Sequence, residues 1–134
     1  DNMAEYNLEV EYYYKAFELF QKINNYSGSA LALNNIAWGY IQAYDYQKGI
    51  EQARLGLNLA KNITTQEKKK RITAFLYNNL SIAYLENNLP DSALIFNELS
   101  YASIPNLKKY SLNHYAWIFA QFGNIYCAIN SFFF

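Results

Sequence analysis

Leu33-Asn34-Asn35-Ile36-Ala37-Trp38-Gly39-Tyr40 can be laid without gaps over Tyr77-Asn78-Asn79-Leu80-Ser81-Ile82-Ala83-Tyr84 and over Leu112-Asn113-His114-Tyr115-Ala116-Trp117-Ile118-Phe119. Each copy reads large, polar, polar, large, small, any, any, aromatic. Leu33, Ile36, Ala37 and Tyr40 are spaced so that they share one face of a helix. A small residue within that apolar stripe lets a partner helix come close, whereas a large one would push the pair apart.

Beyond each copy a second helical stretch opens with another small residue, at Gly49, Ala93 and Ala128. Ala16, in Tyr14-Lys15-Ala16-Phe17, marks an earlier copy. These marks lie 33, 44 and 35 residues apart, the period of a helix-pair repeat. Helices are predicted over 9–24, 29–43, 46–61, 66–87, 91–103, 107–121 and 124–134. Turns are expected at Ser27-Gly28-Ser29, Tyr44-Asp45-Tyr46, Asn62-Ile63-Thr64-Thr65, Asn87-Asn88-Leu89-Pro90-Asp91 and Gly123-Asn124. Extra turns at the start of the helix carrying Lys68-Lys69-Lys70-Arg71 account for the longer interval.

The pattern resembles the tetratricopeptide repeat: large-x-x-Leu-Gly-x-x-Tyr, then Ala-x-x-x-Phe and a late Pro. Ala16 with Phe20, and Ala128 with Phe132, keep the second half of that signature, and Pro105 sits where the third copy should end. Ala53 and Asn97 depart from the expected aromatic; Ala37, Ser81 and Ala116 replace the glycine. The resemblance implies an all-α fold, an α-solenoid of antiparallel helix pairs wound as a right-handed superhelix of about three and a half repeats. Residues 1–134 then form one domain, with units near 1–28, 29–65, 66–106 and 107–134. The opening Asp1 and the closing Phe132-Phe133-Phe134 suggest a piece of a longer chain.

Composition narrows the function classes. Apolar residues are 52% of the chain and charged ones 16%, against about 25% charged in ordinary soluble domains. Eleven basic side chains balance eleven acidic ones, which leaves no net field to attract a nucleic acid or an anionic membrane. Neither is expected as a partner. One cysteine, Cys127, excludes an internal disulfide framework or a cysteine-rich zinc site, and reads as a small buried hydrophobe. No run reaches the roughly 18 to 20 apolar residues of a membrane span, and the first residues are not a signal peptide, so a cytoplasmic location is expected.

Beside the packing stripe of each repeat copy runs a second one: Asn34, Asn35, Trp38 and Gln42; Asn78, Asn79, Ile82 and Glu86; Asn113, His114, Trp117 and Gln121. In the fold this chain resembles, first helices line a concave groove, which would set Asn35, Asn79 and His114 in a row. An asparagine amide both donates and accepts, matching the alternating groups of an extended peptide. Trp38 and Trp117 offer anchor area of the kind interfaces favour. The same asparagines could cap, bridge neighbouring turns or face water; their recurrence in register favours contact with a ligand.

The expected partner is therefore a protein or an extended peptide, and no cofactor or metal is expected. The groove helices lack the lysines and arginines with which similar repeats clamp acidic tails. Lys68-Lys69-Lys70-Arg71 reads first as a solvated helix start and second as an anion site. His114, the single histidine, has no paired carboxylate or nucleophile motif beside it, and no catalytic residue is assigned. The rival reading is a sensory or regulatory module of a larger bacterial signalling protein, which Pro90-Asp91-Ser92-Ala93-Leu94 resembles in style. Homodimer formation through an uncapped last helix and its phenylalanines is a further expectation.

Overall fold

A computed structural model describes residues 2–104 and 112–131, with side chains from Leu8 onward. Six helices follow one another and no strand occurs among the described residues: α1 Asn2–Lys22, α2 Tyr26–Gln42, α3 Tyr46–Ala60, α4 Gln66–Glu86, α5 Pro90–Ser103 and α6 Leu112–Ser131. The chain is all-α.

Three of the connections are the same device. Asn24, Tyr44 and Asn88 take left-handed backbone angles, with φ of 54°, 64° and 62°. After each, a backbone N–H reaches back five residues: Asn25 to the Phe20 carbonyl, Asp45 to Tyr40 and Leu89 to Tyr84, at 2.9, 2.9 and 2.8 Å. This closure satisfies carbonyls that the helix end would otherwise leave without partners. The residue that ends one helix's turn then starts the next. The Asn25 side chain accepts from the Gly28 N–H, Asp45 accepts from the Lys48 N–H, and Pro90 opens α5 where a missing N–H costs nothing.

α2 and α3 pack along their length, as do α4 and α5; α1 lies on α2, α3 on α4 and α5 on α6. α2 also meets α4, and α4 meets α6, whereas the backbones of α3 and α5 stand apart and the Arg54 guanidinium of α3 reaches over the Phe96 ring of α5, 5.7 Å from its centroid. The core sits between α2, α3 and α4, where Ile41, Ala53, Ile72, Leu76, Leu80 and Ala83 are buried together. Small residues permit it: a Cβ on Gly49 would lie 2.8 Å from Ile41 Cγ1 and 3.2 Å from the Ala37 carbonyl.

Several expectations need correction. Residues 112–131 form a single helix, so the turn at Gly123-Asn124 does not exist and Ala128 opens no second helix. Gly123 lies on an open face where an added Cβ would meet nothing within 4 Å, so nothing there interrupts the helical ladder. Ser27-Gly28-Ser29 belongs to the first turn of α2; the connection is one step earlier, because Asn24 supplies the left-handed closure. Gly28 instead marks close approach, since a Cβ there would strike the Phe20 ring. Cys127 is exposed rather than buried, because none of the described helices covers that side of α6. α1 begins well before residue 9, at Asn2. α4, at 21 residues against 17 for α2, carries the extra turn expected at its basic start. Pro105 and Phe132 to Phe134 lie outside the described residues, as does the start expected for the helix at 107. No described helix is long and apolar enough to cross a membrane.

Candidate functional site

Helices α2, α4 and α6 bound a cavity of about 480 Å³, within the roughly 300–1,000 Å³ range of ligand pockets. Asn34, Asn35 and Trp38 of α2 line one side; Asn78, Asn79 and Ile82 of α4 the middle; His114, Trp117 and Gln121 of α6 the other. These residues were singled out from the repeat register, and the structure brings them to one place. Gln42 and Asn113 are not on its wall. Gln42 lies at the far end of α2, beyond the reach of the cavity, and Asn113 is exposed.

The polar groups here divide into two kinds. The Asn79 amide is almost wholly buried and donates to both the carbonyl and the side-chain oxygen of Asn34, at 3.1 and 2.8 Å. It ties α4 to α2. Gln121 is also buried, donating to Ser81 Oγ at 3.1 Å, and Ser81 in turn donates to the Ala93 carbonyl at 2.8 Å. That chain joins α6, α4 and α5. Asn97 extends the same logic from α5 to α6, donating from its amide to the Ile118 carbonyl at 3.1 Å. Asn35 and Asn78, by contrast, are half-buried at the cavity wall.

Aromatic surface frames the opening. Trp38 is 40% exposed and Trp117 64%. The His114 ring stands 4.6 Å from the Phe75 ring and 6.0 Å from that of Trp117. Its Nε2 is buried without a hydrogen-bond partner. Burial, together with the neighbouring Arg71 guanidinium, holds its pKa below the usual histidine value. A neutral imidazole results at neutral pH. No charged side chain lines the cavity among the described residues, so it can grip uncharged amides and apolar groups and has nothing with which to neutralise an ion.

Phe75, Ala74, Ile118, Ala120, Ser100, Ile104 and Asn124 also line the wall and were missed. Phe75 lies three residues before Asn78 on the same face, a spacing the repeat register already contained. Asn124 follows Gln121 by three and was hidden only by the expected break at Gly123. Ser100 and Ile104 come from the partner helix and its end, which no single-helix stripe reveals.

No family model matches this chain, and neither a curated protein nor a solved structure does.

Proposed function

We propose that the chain is a tetratricopeptide-like α-solenoid that acts as a non-catalytic scaffold, holding an extended, uncharged stretch of another polypeptide in the cavity between α2, α4 and α6. The observation that carries this reading is the wall itself, where the amides of Asn35 and Asn78 share the lining with the exposed indoles of Trp38 and Trp117 and no charged side chain joins them among the described residues. Such amides pair with peptide N–H and C=O groups irrespective of sequence, and indoles supply anchor area for an apolar side chain. Backbone contact of α2 with α4 and of α4 with α6, but not of α3 with α5, supports a curved array whose first helices form the inner row.

The test is to screen an immobilised library of extended peptides against the purified chain and against Asn35→Ala/Asn78→Ala. Each net hydrogen bond is worth about 0.5–1.5 kcal/mol, so the double variant should bind about five- to 150-fold more weakly while keeping its helicity and melting temperature. Peptides retained equally by a folded variant would refute the assignment.

A further inference from the structure

Trp38 of α2, Ile82 of α4 and Trp117 of α6 hold the same place in the repeat register, and all of them line the cavity. α2 touches α4 and α4 touches α6, and helices in contact stand about 8–10 Å apart. The wall therefore repeats itself once per helix, at that interval. A ligand that meets each copy in the same way must present the same face at the same interval.

Two extended conformations are open to a peptide, and they differ in that interval. A β-strand returns to one face every second residue, about 6.4–6.8 Å along. Polyproline II returns every third residue, about 9.3 Å along. Only the second keeps step with the helices. From Trp38 to Trp117 is two helix steps, about 16–20 Å, which six residues of polyproline II span at about 19 Å.

The hydrogen-bonding groups of the wall point the same way. Asn79 spends its amide on Asn34, but the side chains of Asn35 and Asn78 take no partner among the described residues. Each of those amides can donate, and each indole can only donate. A proline residue brings a carbonyl and no N–H, so a run of prolines needs donors and has none of its own to leave unmatched. Its apolar ring suits an exposed indole face, as in the aromatic grooves that take such segments. Because proline fixes φ, the segment is ordered before it binds and loses little freedom on binding. A sugar also suits indoles and amides, yet each hydroxyl brings a donor that a carboxylate meets best, and no carboxylate lines the cavity among the described residues.

We propose that the occupant of the cavity between α2, α4 and α6 is a proline-rich segment of another polypeptide in the polyproline II conformation, one turn of it meeting each inner helix. Proline rings lie on Trp38 and Trp117, and carbonyls of the segment accept from the amides of Asn35 and Asn78. This rests on the peptide-holding reading given above and names the chemistry of the peptide.

Trp38 and Trp117 are the two tryptophans of the chain, so its indole emission reports this wall and nothing else. The experiment titrates the 134-residue chain with a capped decaproline peptide, with a capped peptide of equal length made of serine, threonine and glutamine, and with cellohexaose. Decaproline should change the emission saturably and bind at least about tenfold more tightly than the proline-free peptide. Trp38→Leu, at an exposed position, should keep its helicity and lose most of that preference, read from the emission of Trp117. Equal or tighter binding of the proline-free peptide overturns the proline assignment and leaves the peptide-holding reading intact. So does a folded Trp38→Leu that keeps the preference in full. No response to either peptide, or saturation by cellohexaose alone, overturns both.

Discussion

The side-chain amide of Asn79 donates to both oxygens of Asn34, at 3.1 Å to the carbonyl and 2.8 Å to the side chain, and so clamps α4 to α2. Asn79 is 6% exposed. Removing it takes the donor from the part-buried Asn34 side-chain oxygen and breaks the tie between the helices, a loss of about 1–3 kcal/mol. Asn79→Ala should accordingly lower the unfolding free energy read from urea titration, while Asn35→Ala, at a half-open wall position, should leave it within about 0.5 kcal/mol. Equal losses at the two sites would contradict the division between helix ties and cavity wall.

Two glycines should respond to alanine in opposite directions. At Gly49 the new methyl would crowd the branch carbon of buried Ile41 and the Ala37 backbone oxygen, neither of which can swing aside. The overpacking cost of about 1–3 kcal/mol outweighs the roughly 1 kcal/mol gained in helix propensity. At Gly123 the methyl enters open space, so Gly123→Ala should stabilise by about 0.5–1 kcal/mol. Thermal melts of the two variants read both signs.

Acidification should weaken the α4–α6 contact through His114. Burial and Arg71 lower its folded-state pKa below the ordinary 6.5, so the unfolded chain binds the proton more readily. The associated stability is complete above that value and is lost as pH falls through it toward the folded-state pKa. His114→Gln removes this titration. On lowering the pH, wild type should lose urea midpoint faster than His114→Gln, and parallel losses would show that His114 does not couple to folding.

Trp117 is the most exposed aromatic on the cavity wall. Truncating an anchor of that kind typically removes about 2 kcal/mol or more, so Trp117→Ala should weaken any peptide captured by the wild type about 30-fold. Isothermal titration with the best library peptide provides the measurement. Unchanged affinity would move the anchor elsewhere.

The leading helices were legible because Leu33, Ile36 and Ala37, and likewise Leu80 and Ser81, are buried at helical spacing; α2 and α4 follow from that pattern alone. The turn at Asn87-Asn88 was legible too, since asparagine tolerates the left-handed angle that Asn88 adopts. Tyr44 adopts the same angle with no such tolerance, and there the signal was Asp45, the cap that follows. Gly123-Asn124 misled for a physical reason: glycine ends a helix when the chain has a closure to make, and here the ladder continues to Ser131. The place of Asn79 on the inner face was readable, but its bond to Asn34 depends on how far two helices stand apart. Sequence spacing along one helix does not contain that distance.

The contact pattern also sets how the molecule yields to force. α2, α4 and α6 touch in succession and are cross-tied by Asn79 and Gln121, whereas the backbones of α3 and α5 stand apart, spanned by the Arg54 guanidinium over the Phe96 ring. In the language of a bent beam, the neutral axis runs along the inner row. Flexing therefore opens and closes the gap between the outer helices and changes the length of the cavity wall little, so the chain is elastic on its back and stiff along the face that carries Asn35, Asn78 and the two indoles.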